Sequence, residues 1–317
     1  MSIFLQLAPM QAMTDIVFMN NYNRIFGGFN EMMAPYILAT SKSLIKTARL
    51  KKIHSKLDEN IVLIPQLLSN DAEGFIYYAN KLYDEGFRKV NWNLGCPFPF
   101  VTKKNRGAGL LPYPDIIDSI LDKITPKIKI DLSVKVRLGL NNEEEINQVI
   151  KVLNNYPIVE TIIHPRTAIQ KYNGSANIDF FSKIYSNLNM PVIYNGDIVK
   201  KEQVIDMQKQ FPDLKGYMIG RGAFINPFIT NQIAGIEYSD TDKINKYKDL
   251  YFSLHKYYKE TTQDDIGFLH RMKDLWGYFS QSFDKGEDYI FTLRTINDVE
   301  KFESTVNNIF KTGTFKI

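Results

Sequence analysis

Val90-Asn91-Trp92-Asn93-Leu94-Gly95-Cys96-Pro97 holds the only cysteine of the 317-residue chain. Hydrophobic residues run into it as a strand, and Gly95-Cys96-Pro97 ends that strand abruptly. The thiol therefore falls on the loop after a strand's C-terminal end. In a parallel α/β protein that edge is where ligands bind. A free cysteine is more often a small buried hydrophobe than a reagent. Pro97 and the basic, glycine-rich stretch beyond it (Lys103, Lys104, Arg106, Gly107, Gly109) argue against burial here.

Outward from this strand, similar short apolar segments recur at residues 4–10, 31–37, 61–68, 128–138, 161–164, 191–195 and 216–219. Helical patterns separate them. Residues 71–85 place Phe75, Ala79 and Leu82 on one face, and residues 142–153 open with an Asn cap and an acidic first turn (Glu143, Glu144, Glu145). Eight βα units demand parallel pairing with right-handed crossovers, and predict a (β/α)8 TIM barrel. A doubly wound open sheet is the alternative, but it seldom has eight such regular units. From about Tyr238 strand signals vanish, and amphipathic stretches follow at 242–261, 264–283 and 297–310, with Asp240 and Asp264 as N-caps. The expected organisation is a barrel over residues 1–237 and a smaller all-helical domain over 238–317.

Composition is that of a globular chain, 44% hydrophobic and 23% charged. One cysteine excludes an internal disulfide and a cysteine-based zinc site, and fits a reducing cytoplasm, the expected location. Met1-Ser2-Ile3-Phe4-Leu5-Gln6 lacks the basic start and long apolar core of a signal peptide. No apolar run approaches the roughly 18 residues of a membrane span. The net charge of +4 does not itself indicate nucleic acid. Its distribution does: Lys42, Lys46, Arg49, Lys51, Lys52 and Lys56 lie in 41–56 without an acidic residue, which points to a polyanion.

Polar residues at the strand ends should converge on one pocket. In chain order they are Ala8-Pro9-Met10-Gln11, Gln66, Asn93 with Cys96, Lys135 with Arg137, His164-Pro165-Arg166-Thr167, Asn195-Gly196-Asp197 and Gly220-Arg221-Gly222. Loops after the seventh and eighth strands commonly bind a phosphate in this fold. Gly196, Gly220 and Gly222 let backbone amides approach phosphate oxygens, and Arg221 adds a charged fork. Lys135 sits inside an apolar strand, where an unpaired ammonium is costly to desolvate, so an anionic cofactor at the pocket mouth would resolve the conflict. His164, beside Arg166, reads as a cofactor or substrate contact. No set of carboxylates and histidines has metal spacing, and neither a GxSxG nor a phosphate-loop motif is present.

With these residues assembled, the chain resembles the tRNA-dihydrouridine synthases. The elements that carry the resemblance are Ala8-Pro9-Met10, Asn93-Leu94-Gly95-Cys96-Pro97 followed by Val101 and Gly107-Ala108-Gly109-Leu110-Leu111, Val134-Lys135-Val136-Arg137, His164-Pro165-Arg166-Thr167 with Tyr172 and Gly174, Asn195-Gly196-Asp197, and Gly220-Arg221-Gly222. They appear in family order and span the barrel. One departure is Gln11-Ala12-Met13-Thr14-Asp15, where the family often has a glycine between Met and Thr-Asp; this leaves the shape of the first loop open.

The resemblance implies an FMN-dependent oxidoreductase that reduces C5=C6 of particular uridines in tRNA, with NADPH (or NADH) as electron source. Carried over residue by residue, Ala8, Pro9, Met10, Gln66, Lys135, His164, Asn195, Gly196, Asp197, Gly220 and Arg221 would hold FMN. Asn93, Arg137 and Arg166 would contact the substrate, and Cys96 would be the general acid. tRNA is then the expected partner, gripped by the basic run 41–56, the loop Lys103, Lys104, Arg106 and the helical domain; neither a membrane nor an obligate protein partner is called for. Two rivals compete. An FMN barrel acting on a free small molecule, such as a dihydroorotate dehydrogenase, would need neither the helical domain nor the basic run. An RNA-binding barrel that has lost catalysis would not need Cys96 and complete phosphate loops.

Overall fold

A computed structural model describes residues 3–41 and 57–316; the basic run falls almost wholly outside the described residues. The eight expected strands are present as parallel staves: β1 (Phe4–Leu7), β2 (Glu31–Met33 with Ile37–Leu38), β3 (Leu63–Ile64 with Gln66–Leu68), β4 (Lys89–Leu94), β5 (Asp131–Gly139), β6 (Ile158–Thr167), β7 (Val192–Tyr194) and β8 (Gly216–Ile219). β8 pairs back onto β1, with Gly216 opposite Phe4, and β2 meets β3 twice, at Met32–Leu63 and at Ile37–Leu67. The sheet thus curls into a barrel. β2 and β3 are each interrupted at a proline, Pro35 and Pro65, which has no amide to give the ladder.

Side chains alternate across each stave. On β4, Val90, Trp92 and Leu94 join the layer under the helices, whereas Asn91 and Asn93 turn into the barrel. On β5, Leu132, Val134 and Val136 go outward, while Ser133 faces the interior, where its Oγ accepts from Asn91 Nδ2 of the neighbouring β4 at 3.0 Å. Inside the barrel Met33, Ile64, Ile162, Ile193 and Met218 form a small apolar layer. Toward the strands' N-terminal ends, Lys89 bridges Glu31 (2.7 Å) and the fully buried Glu160 (2.9 Å), and Lys215 also reaches Glu160. These buried charges are paired, so they close one end of the barrel without a stranded ion.

Helices α1 (Ile16–Ile25), α2 (Ala72–Asp84), α3 (Pro114–Ile124), α4 (Glu145–Leu153), α5 (Ile178–Ile184) and α6 (Lys201–Gln210) stand between successive staves. Asp71 caps α2 through the Gly74 amide at 3.1 Å. Ahead of α4, Asn142 Oδ1 accepts from the Glu144 amide at 3.0 Å, as expected of an Asn cap, although the regular helix starts only at Glu145. The Glu145 carboxylate also gathers the amides of Leu140, Asn141 and Asn142.

The C-terminal part is all helical: α7 (Asp240–Thr261), α8 (Asp265–Phe279), α9 (Gly286–Thr295) and α10 (Val299–Thr312). Asp264 caps α8 as expected, but Ser239 rather than Asp240 caps α7, and α9 was not legible in the sequence pattern. Tyr247, Tyr251, Trp276, Phe279, Phe283 and Phe310 form its aromatic centre. This core continues without a break into that of the barrel. The contact is also polar: Asp15, the N-cap of α1, accepts hydrogen bonds from Tyr258 (2.9 Å) and Arg271 (2.5 Å). Among the described residues no helix is long and apolar enough to cross a membrane.

Candidate active site

A cavity of about 420 Å³ opens at the C-terminal ends of the staves. Ala8, Pro9, Met10, Gln66, Asn93, Cys96, Lys135, Arg137, His164, Asn195, Gly196, Asp197, Gly220 and Arg221 all line it. These strand-end residues thus meet at one cavity.

The wall beneath Cys96 is a polar ladder. Asn93 Nδ2 donates to Gln66 Oε1 at 2.7 Å, and Gln66 Nε2 donates to Asn91 Oδ1 at 2.8 Å. Asn93 Oδ1 accepts from the amides of Gly95 (3.0 Å) and Cys96 (2.8 Å) and so holds the turn that presents the thiol. Gly107 backs onto that turn with φ +55°, where a Cβ would stand 2.8 Å from the Cys96 carbonyl oxygen. Cys96 is only 7% exposed, more buried than its surroundings in the sequence suggest, yet it lines the cavity. Burial pushes its thiol pKa up, against a Phe98 amide, Arg137, the Tyr36 hydroxyl and Lys135, which pull it down. The Tyr36 hydroxyl shares a hydrogen bond with this thiol.

Positive charge crowds the cavity. Burial, and then Arg137, lower the Lys135 pKa to about 7, and among the described residues Lys135 makes no ion pair. Burial likewise lowers Arg137 to about 10; its guanidinium donates to the carbonyls of Gly95, Thr167 and Lys171. Burial and the four cations Arg137, Lys135, Arg166 and Arg221 hold His164 well below the usual imidazole range, so it is neutral at pH 7. Among the described residues Asp197 is the only carboxylate in the lining. Its burial would raise its pKa, but Arg166 and the Ala176 amide hold it below the usual range. Lys135, Arg137 and Arg221 in the described lining, against Asp197, leave a surplus of basic groups that is complementary to an anion.

The loops after β7 and β8 leave little room for side chains. A Cβ on Gly196 would lie 2.7 Å from the Tyr194 hydroxyl, and one on Gly222 would strike the Ile198 carbonyl. Asp197 sits in the left-handed region at φ +48°, which an Asp tolerates. Arg221 meets its carboxylate at 2.7 Å and lies 4.5 Å over the Tyr172 ring; Arg137 lies 5.6 Å over the same ring. The first loop, whose shape the sequence left open, places Ala12 at φ +61°, and the Met10 amide donates to Thr14 Oγ1 at 2.8 Å.

Arg166 does not fit the expectation of a substrate contact. It is 1% exposed and lies behind the lining, with its guanidinium committed to Asp197, His164 and the Gly174 carbonyl. Its function here is to fix Asp197 and His164. Conversely, Tyr36, Tyr172 and Tyr278 line the cavity without having been assigned a role. Tyr36 follows Pro35 at the break in β2, and Tyr278 comes from α8 of the C-terminal part. No local pattern marks either.

The fold and cavity define an α/β-barrel protein with a basic cavity at the C-terminal ends of its staves and a buried thiol on the cavity wall. The dihydrouridine synthase (Dus) family model matches residues 6–313, and the chain belongs to that family. It is 26% identical over 314 residues to the tRNA-dihydrouridine(16) synthase of Neisseria meningitidis serogroup A, covering 95% of this chain and 93% of that protein. It is 29% identical over 245 residues to tRNA-dihydrouridine synthase B of Escherichia coli K12, covering 75% and 72%. Among solved structures, histamine dehydrogenase from Rhizobium sp. 4-9 matches with a TM-score of 0.57 at 10% identity, over 86% of this chain and 48% of that one. 2-Naphthoyl-CoA reductase matches with a TM-score of 0.51 at 10% identity, over 73% and 50%. At such identity these two speak for the fold alone.

Proposed function

We propose that this protein is a tRNA-dihydrouridine synthase that reduces the C5=C6 bond of specific uridines in tRNA, using FMN and NADPH or NADH. The observation that carries the reading is Lys135, a lysine in the cavity whose charged form has no ion pair among the described residues, in a lining whose one described carboxylate is Asp197. An anionic cofactor supplies the missing counter-charge. The glycines after β7 and β8 fit the same group, since Gly196, Gly220 and Gly222 line the cavity and a Cβ added to Gly220 would come within 3.3 Å of the Ala8 side chain.

FMN held there would supply the hydride for C6. Gly196, Gly220 and Arg221 would receive its phosphate, Asn195 and Gln66 the ring's polar edge, and Ala8, Pro9 and Met10 its face. Neutral His164 can offer one nitrogen to a ligand while Arg166 holds it in place. Asn93 and Arg137 would orient the uracil. Cys96 then gives a proton to C5. Its raised pKa keeps the thiol protonated at neutral pH, so it can donate without a separate base. The resulting thiolate is stabilised by Arg137, Lys135 and the Tyr36 hydroxyl. Reaching C6 requires the uridine to leave its stack and enter the cavity. Residues 1–237 would carry this chemistry, and residues 238–317 would read the tRNA, with Tyr278 at the junction.

Incubating the purified protein with FMN, NADPH and an unmodified tRNA transcript tests the reading. Dihydrouridine should form in the tRNA and far more slowly from free uridine. Equal rates on both would replace tRNA with a small-molecule substrate.

A further inference from the structure

Two large aromatic side chains stand in water at the cavity rim. Phe98 is 43% exposed and Phe100 is 64% exposed, and their rings stack with centroids 5.8 Å apart at 16°. Phe98 lines the cavity two residues beyond Cys96. Pro97 and Pro99 flank it, and Pro99 opens the short helix Pro99–Thr102. Both prolines fix φ and so narrow the backbone conformations open to the segment that carries the pair. Lys103 and Lys104 follow directly, both exposed. Neither ring is needed to close the barrel core, where Leu68 and Val101 already pack on Cys96.

We propose that Phe98 and Phe100 form a stacking platform for the nucleobase next to the uridine that enters the cavity. The proposal rests on the tRNA reading above. Extruding one base leaves its neighbours with an uncovered face, and that lost stacking is the cost of extrusion. An exposed aromatic pair at the rim replaces the lost stack, and Lys103 and Lys104 meet the phosphates of the same strand. Because every base has a π face, the platform tolerates any flanking base and favours the larger purines.

The test compares wild type, Phe100→Ala and Phe100→Trp, each loaded with FMN, on intact tRNA and on tRNA made abasic at one nucleotide flanking the reduced uridine. Binding of labelled tRNA is measured alongside kcat/KM. Phe100→Ala should lose about tenfold or more in kcat/KM and in tRNA affinity, with flavin reduction by NADPH unchanged. Phe100→Trp should restore both. Removing the stacked base should cost wild type a similar factor and Phe100→Ala little more, because the two changes delete one interaction. Losses that simply multiply, or an Ala variant equal to wild type, would overturn the platform and leave the tRNA reading standing. Wild type that makes no dihydrouridine in any tRNA would overturn both.

Discussion

Asn93 fixes the backbone that carries Cys96: one side-chain oxygen takes the amides of Gly95 and Cys96 at 3.0 and 2.8 Å, while the same side chain's nitrogen is tied to Gln66. The thiol's position is thus set by a strand residue three places earlier and by the stave beside it. Asn93→Ala would leave two amides and the Gln66 carbonyl without partners. Each such buried group costs about 1–3 kcal/mol. Denaturant midpoints should fall accordingly, and the tRNA half-reaction should slow about 100-fold or more, since the acid loses its aim. Asn93→Asp, which keeps the acceptor, should recover part of both. Equal losses in the two variants would contradict the assignment.

Arg166 and Asp197 give a second expectation. Asp197→Ala strips the buried Arg166 of its carboxylate; because Asp197 is 30% exposed the cost is that of one guanidinium losing its partner, about 1–3 kcal/mol. Flavin retention should weaken along with stability. Arg166→Ala should likewise destabilise the fold. Had Arg166 contacted substrate, the same change would raise KM for tRNA at unchanged stability, and that result would restore the substrate assignment.

Lys135 sets a pH dependence. Its folded pKa of about 7 lies below that of the unfolded chain. From pH 7 up to the ordinary lysine value the unfolded state therefore binds a proton that the folded protein lacks. Stability without a bound anion should rise with pH across this window, and below it the full penalty remains. An anion favours the charged form, so FMN binding above pH 7 must take up a proton. Affinity should fall by up to about tenfold per pH unit above 7 and level off below. Lys135→Met should remove that slope in a fluorescence titration; an unchanged slope would assign it to another group.

Much of this was legible in the sequence because a barrel repeats one local rule. Alternation on Val90–Leu94 and Leu132–Val136 decides which side chains enter the interior, and each stave obeys it independently. Lys135 enters the interior for that reason, and Cys96 and Gly220 join it because parallel staves bring the loops after their C-terminal ends to one rim. What was not legible depends on distant pairs. Arg166 is withdrawn from the cavity by Asp197, 31 residues later, and nothing next to it in the sequence announces that partner. Tyr36 enters the lining from the interruption of β2 next to Pro35, and Tyr278 arrives on a helix of another part of the chain. Ser239 displaced Asp240 as a cap because both are good caps and the chain's entry angle decides between them.

The junction between barrel and helices is testable on its own. Asp15 binds both Tyr258 and Arg271, and Arg271 stacks 4.2 Å over the Tyr258 ring. α8 carries Arg271 at this contact and Tyr278 at the cavity. Because the groups are partly exposed, a double-mutant cycle on Asp15→Ala and Arg271→Ala should give a coupling of about 1 kcal/mol in stability. Arg271→Ala should slow tRNA reduction more than flavin reduction. The opposite ranking would show that α8 serves the cofactor and not the nucleic acid.

The most direct measurement is rapid mixing of the anaerobically reduced, FMN-loaded enzyme with unmodified tRNA, following the return of the oxidised flavin absorbance. Wild type should reoxidise with one dihydrouridine formed per flavin, and Cys96→Ala, although reduced by NADPH at the normal rate, should reoxidise about 10²–10⁴-fold more slowly. Reoxidation of the variant at full speed, or no reoxidation of wild type by any tRNA, would contradict a Cys96-assisted reduction of tRNA uridine in this cavity.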